Sequence, residues 1–263
     1  MSDQNAPLLF SVEAGVARLH FNRPAVLNAI DVPMAEALHA ACRRLQHWPG
    51  LRVVVLSGEG RAFMAGGDLA SFHDSLADAP ATAGHMITPL HAALLILTEL
   101  PQPVIACLHG AIAGAGVSIA LACDLAIAAD DARFSIAYAR IGASLDAGCS
   151  WSLPRIVGLR KAMELSLLAT TIDAGEALRL GLVNCVVPPA QLADEVAMLV
   201  RRLVVGPTAA YGRIKRLLRM HQGRLAEHLE AERTAFCAGA ADHDFREGVL
   251  AFFDKRAANF IGC

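Results

Sequence analysis

The run PVIACLHGAIAGAGVSIALACD, from Pro103 to Asp124, carries no charge between its ends and holds Gly110, Gly114 and Gly116 in its middle. Val104 to Cys123 would span a bilayer as one helix, and the spacing of Gly110 and Gly114 suits packed transmembrane helices. Three observations oppose that reading. The glycines weaken a continuous helix, the flanking charges are Glu99 and Asp124 rather than Lys or Arg, and no second run of this kind exists. The run therefore divides into a buried strand over Val104 to Leu108, a glycine turn, and a helix from near Ala115 to Ala122. Glycine lets a ligand approach the backbone, and the first amides of a helix lack internal partners. Such a corner either accepts a developing negative charge or is simply a tight turn. It is not a dinucleotide fingerprint, because Ile119 stands where a third glycine or alanine is needed.

Around this run the chain alternates strand and helix patterns. Leu8 to Glu13 and Val16 to Asn22 predict a hairpin around Ala14-Gly15. Asp31 caps a helix that places Met34, Leu38, Ala41, Leu45 and Trp48 on one face, and Leu51 to Leu56 reads as a buried strand. A helix is expected over 68–76, a mobile link over 77–84, and a helix from His85 to Leu100. Short strands at Leu125 to Ala129 and Arg133 to Ile136 precede an irregular connection from Tyr138 to Ser144. Helices follow after Asp146-Ala147-Gly148 and over Leu159 to Leu168. Asp173 caps another, and Leu182 to Val187 is the last strand. Beyond Pro188 all patterns are helical, including one helix over Thr208 to His221 and one over Phe245 to Ala257. These readings give an α/β core over 1–195 and a C-terminal helical region over 196–263.

With 55% hydrophobic and 18% charged residues, 263 residues can bury a large core, and so apolar a chain points to subunit interfaces. A formal charge of -2 without a basic run argues against nucleic acid or a membrane surface as partner. Seven cysteines without a C-x-x-C pair read as reduced thiols of a cytoplasmic protein, and neither a metal site nor a secretion signal is apparent.

Arg61 to Leu69, RAFMAGGDL, is a second small-residue corner beyond a buried strand. Two neighbouring strands could aim an amide from each corner at one oxygen, which makes an oxyanion hole. Together with NRPAVLNAI upstream and LRLGLVNCVVP and FFDKRAANF downstream, the pair RAFMAGGDL and HGAIAGAGVSIALACDLAIAADDARF resembles the enoyl-CoA hydratase/isomerase (crotonase) superfamily. The resemblance spans nearly the whole chain and is not specific to one reaction. It implies a crotonase-like spiral of ββα repeats, a homotrimer or a dimer of trimers, and a role such as fatty acid metabolism. An acyl-CoA thioester is implied as substrate, with no separate cofactor. It further implies Gly67 and Ala115 as oxyanion donors. Coenzyme A is expected along Arg23, Ala25, Val26 and Leu27, and along Ala65, Gly66 and Asp68 beside Gly114. Lys255 is expected near a phosphate.

Where hydratases of that superfamily carry two glutamates, this chain has Ser118 and Tyr138, so simple hydration is disfavoured. Asp146, in IGASLDAGCSWSLPR, matches the catalytic aspartate of phenylacetate-type ring isomerases, dienoyl-CoA isomerases and 4-chlorobenzoyl-CoA dehalogenases. On spacing alone it is equally a helix cap. Leu145, Trp151 and the acyl chain are expected to surround it. His91 matches the water-activating base of the dehalogenases, or is a packed histidine on an apolar face, and Tyr138 is placed to hydrogen-bond Asp146. Cys149 is expected to be inert filling and Ser118 to be packing rather than a nucleophile. The favoured activity is isomerisation of an enoyl-CoA through an enolate, with Asp146 as acid and base. The alternatives are dehalogenase-type hydrolysis, with Asp146 as nucleophile and His91 as base, and a non-catalytic acyl-CoA-binding subunit.

Overall fold

A computed structural model describes residues 5–73, 76–219 and 224–259. The end of the helix expected to reach His221 and the last residue of the C-terminal motif, Phe260, lie outside them. Strands β1 (Leu8–Glu13) and β2 (Val16–Phe21) form the expected hairpin, and its two turn residues, Ala14 and Gly15, are both left-handed. That backbone matches the right-handed twist of paired strands. The Asp31 carboxylate accepts from Met34 N at 2.9 Å and starts α1 (Val32–Gln46), which buries the expected stripe from Met34 to Leu45. Strand β3 (Val53–Gly58) begins two residues later than its pattern suggests; β4 (Ala62–Met64) and α2 (Leu69–His73) follow.

Helix α3 (Ala79–Glu99) overturns the mobile link expected over 77–84, because Ala79 and Ala83 are fully buried and continue its core-facing side. Contrary to the expectation that no second spanning run exists, residues 76–99 are, among the described residues, the one helical segment long and apolar enough to cross a membrane. Here Ile87, Leu90, Leu94 and Leu97 are buried inside the fold. The glycine run divides as expected into β5 (Val104–Leu108) and α4 (Ala115–Ala122), with a further short strand, β6 (Ala111–Ala113), inside the expected turn. Then come β7 (Leu125–Ala129), β8 (Arg133–Ser135), a 3-10 turn over Ala137–Ile141, α5 (Cys149–Val157) and α6 (Leu159–Leu168). Strand β9 (Thr171–Asp173), unmarked in the sequence pattern, leads to α7 (Ala174–Arg179) and β10 (Cys185–Val187). The chain continues with α8 (Leu192–Val204), α9 (Thr208–Arg219), α10 (Leu225–Gly239) and α11 (His243–Asp254).

In each repeat the longer strand enters a six-stranded sheet, β1-β2-β3-β5-β7-β10, and the shorter one enters a four-stranded sheet, β4-β6-β8-β9. Apart from the β1–β2 and β8–β9 pairs, both sheets are parallel. This is the expected spiral of ββα units. Successive strand residues face opposite ways, and the sheet is covered on both sides. Val54, Leu56, Val104 and Ala106 join the main core, while Val53, Val55, Ile105 and Ile127 pack against Val196 and Val200 of α8. The division expected at residue 195 thus falls inside a helix that covers the sheet.

Candidate functional site

Strands β4 and β6 are parallel neighbours, with Ala62 opposite Ala111, so the two glycine corners that follow them lie side by side. Gly66 has φ +104° and Gly114 φ +48°. A Cβ at Gly66 would come within 3.2 Å of the Ala113 carbonyl oxygen, a tight contact, and the φ of +104° is one that side-chain-bearing residues rarely adopt, so glycine suits this position. Ala115 is the first residue of α4, where amides lack intrahelical acceptors. Among the described residues, neither the Gly67 nor the Ala115 amide has a hydrogen-bond acceptor in the protein. Both residues line a cavity of about 580 Å³.

The same cavity is lined by Ala25, Val26, Leu27, Ala65, Gly66, Asp68 and Gly114, which brings together most of the residues expected to meet coenzyme A. Asn28 pins their loop from behind. Its buried side chain accepts from Arg23 N at 2.8 Å and donates to Ala62 O at 2.8 Å and Glu59 O at 2.9 Å. Arg23 is not among the residues lining the cavity, and its guanidinium pairs with Asp31 and Asp68, each at 3.0 Å. Lys255 is exposed at the end of α11 and does not line the cavity, whereas Phe252 and Phe253 of that helix do. Two cations that motif reading left unselected, Arg61 and Arg140, stand in the wall instead. Phe72, Met86, Leu90 and Phe236 make the remainder strongly apolar.

Asp146 is 4% exposed and lines this cavity, so the structure places it with both amide donors. Its Oδ1 lies 2.7 Å from Nε2 of His91, a buried side chain behind the cavity wall. The Asp146 carboxylate does not cap α5, whose capping residue is Gly148 with no cap bond of its own. Ser118 and Tyr138 come together with their hydroxyl oxygens 3.0 Å apart. They reach the main-chain carbonyl of Asp146 at 3.0 and 3.3 Å, not its carboxylate. Burial, followed by the nearby Asp146 charge, holds the Tyr138 phenol well above its ordinary value, so it stays a donor. Burial likewise pushes the Cys149 thiol up to about 12, which leaves it unreactive as expected. Trp151 does not enclose Asp146. It stacks on Arg155, 3.6 Å from ring centre to guanidinium carbon, and lines a separate groove of about 960 Å³.

One residue went unmarked by every motif. Glu232, on α10, is 5% exposed and presents a carboxylate oxygen within 4.8 Å of a ring nitrogen of His91 and a carboxylate oxygen of Asp146. It accepts from Gly148 N, from Ser150 N and from the Ser150 hydroxyl. Burial raises Glu232 above the usual carboxylate range against the lowering effect of these bonds. The available sequence signal was a charge on an apolar stripe, since Leu229 and Phe236 share its buried face.

A family model described as enoyl-CoA hydratase/isomerase matches residues 11–262. A probable enoyl-CoA hydratase of Rhodobacter capsulatus is 37% identical over 256 residues, covering 96% of this chain and 97% of that one. A 1,2-epoxyphenylacetyl-CoA isomerase of Escherichia coli is 35% identical over 257 residues, 97% and 98% of the two chains. A 4-chlorobenzoyl coenzyme A dehalogenase of an Arthrobacter species is 36% identical over 204 residues, 76% and 73% of the two. Among solved structures, an enoyl-CoA hydratase from Mycobacterium avium subsp. paratuberculosis superposes with a TM-score of 0.87 at 32% identity, covering 97% and 98%. Paired glycine corners on neighbouring short strands, one apolar cavity and a family match over residues 11–262 lead to one conclusion: the protein belongs to the enoyl-CoA hydratase/isomerase family.

Proposed function

We propose that the protein is an acyl-CoA isomerase that moves a double bond, or rearranges a ring, through a thioester enolate. The observation that carries this reading is the placement of one carboxylate, Asp146, in the same cavity as the unpaired amides of Gly67 and Ala115. Asp146 takes a proton from a carbon of the acyl group, the thioester oxygen gains negative charge between the two amides, and the proton returns to another carbon. No atom is gained or lost. His91 occupies one carboxylate oxygen and leaves the other for the substrate. Ser118 and Tyr138 stand where the family's hydratases hold glutamates, and they offer no carboxylate to activate water. The apolar, phenylalanine-rich wall supports a bulky or aromatic acyl group, and Arg61 and Arg140 supply positive charge for phosphate. Asp146→Asn keeps both amide donors and removes the proton carrier. It should abolish isomerisation of 3-enoyl-CoA while CoA-ester affinity stays within a few-fold; retained turnover would refute the role.

A second reading is favoured by the His91–Asp146 contact itself: Asp146 attacks an aromatic acyl-CoA and His91 activates water to hydrolyse the aryl ester. His91→Gln decides between them. The isomerase reading expects most activity to survive and no adduct to form with 4-halobenzoyl-CoA, whereas a trapped aryl-enzyme mass would establish displacement. We further propose that the active form is a homotrimer or a dimer of trimers, which sedimentation would test.

A further inference from the structure

The turn Asp146-Ala147-Gly148 holds a conformation that its own residues do not favour. Ala147 has φ +54° and Gly148 φ +76°, two left-handed residues in succession, one of them an alanine. Immediately afterwards α5 begins, and its first amides need acceptors. Cys149 N finds the Asp146 main-chain carbonyl at 3.1 Å, but the Asp146 side chain, the local group suited to cap the others, has its Oδ1 turned to His91. The acceptors for Gly148 N and Ser150 N come instead from α10. Glu232 takes Gly148 N on Oε2, and Ser150 N on Oε1 at 3.1 Å, so both oxygens of one buried carboxylate hold the start of α5. His228, one helical turn earlier, steadies it with Nε2 2.7 Å from Ser150 Oγ.

We propose that Glu232 is a positioning residue that caps α5 in place of Asp146, leaving the Asp146 carboxylate free to face His91 and the cavity. On the opposite side the Ser118 and Tyr138 hydroxyls hold the Asp146 carbonyl, so the strained turn is clamped from both ends. Remove the Glu232 carboxylate, and the vacant amides become the strongest attraction for the nearest anion, which is Asp146 itself. The carboxylate then swings onto the helix and breaks its bond to His91.

This gives a test that needs no substrate. In wild type the His91 ring proton shared with Asp146 should appear as a downfield proton resonance, assigned by its loss in His91→Gln. Glu232→Ala should lose that resonance, and Glu232→Gln, which keeps one carbonyl oxygen for the amides, should retain it. A kinetic arm rests on the isomerase reading: Glu232→Ala should lower kcat about 30-fold or more with KM within about threefold, and Glu232→Gln should recover kcat to within about fivefold. If Asp146→Asn still isomerises, the isomerase reading fails while the resonance continues to test the cap. Persistence of the resonance in Glu232→Ala overturns the proposal. Should the alanine variant not fold, loss of the resonance in folded Glu232→Gln overturns it instead.

Discussion

Replacing Asn28 by alanine should cost about 4 kcal/mol of folding stability, although its side-chain hydrogen bonds reach neither Asp146 nor the Gly67 and Ala115 amides. Its side chain is fully buried and makes three well-formed hydrogen bonds, to Arg23 N, Ala62 O and Glu59 O. At about 1 kcal/mol each these contribute about 3 kcal/mol. Asn28 also has φ +57°, a left-handed conformation that asparagine tolerates and alanine occupies at a cost of about 1 kcal/mol. A loss of that size is a large share of a total stability of about 5–15 kcal/mol. For a chain this long it lowers Tm by about 10 °C. Asn28→Gly avoids the left-handed cost and should lose only about 3 kcal/mol by the same count. Asn28→Asp keeps the acceptor for Arg23 N but turns a carboxylate toward carbonyl oxygens, and should be at least as damaging as alanine. Urea unfolding of the three variants gives the order directly. A loss below about 1 kcal/mol for alanine, or glycine proving worse than alanine, would refute the reasoning.

Two further outcomes follow from the same geometry. Ala115→Pro deletes one of the two amide donors at the first position of α4, where proline is compatible with a helix, so turnover should fall by about 100-fold or more while circular dichroism stays unchanged. Near-normal turnover would remove Ala115 from the oxyanion site. Glu247 accepts from Arg256 and, at 2.7 Å, from Asn259 N; the Arg256 bond, then that of Asn259, lowers its pKa to about 2. Because the folded value lies below the unfolded value of about 4.5, this contribution is complete above that pH and is lost as pH falls through about 2. Wild type and Glu247→Gln should therefore differ in stability at neutral pH and converge in strong acid.

Local chemistry made much of the fold legible. Asp31 and Asp173 announced their helices because a cap needs only an oxygen and a backbone amide three residues on, and the structure shows both bonds. The hairpin, α1, β5 and α6 likewise rest on periodicity within one segment. Strands β6 and β9, three residues each, carry too little pattern to be read, and they exist because the small sheet pairs them. The alanines before His85 looked like a flexible link because small residues mark loops and close-packed helices alike; burial against the core decided for the helix.

The site divides along the same line. Both glycine corners were visible because their backbone conformations leave almost no choice of residue, and Asp146 stood out because its position matches the catalytic aspartate of the superfamily that the sequence resembles, while its strained turn appears only in the structure. What holds Asp146 in place was only partly legible: the resemblance singled out His91 and Tyr138 but not the contact that His91 makes, and Glu232 went unmarked, because these partners arrive from distant segments. His91 lies 55 residues away in sequence, and Glu232 lies 84 residues from the amide of Gly148 that it holds. Glu232 alone reads as an ordinary polar residue on an amphipathic helix, and His91 alone as either a base or a packed histidine. Their meaning appears only when α3 and α10 pack together, because burial forces every polar atom to find a partner. Arg23 shows the converse. The resemblance implied contact with coenzyme A, and the structure shows its guanidinium paired with Asp31 and Asp68. A cation already paired twice at 3.0 Å holds the loop that shapes the cavity, while Arg61 and Arg140, which no motif singled out, stand in the wall.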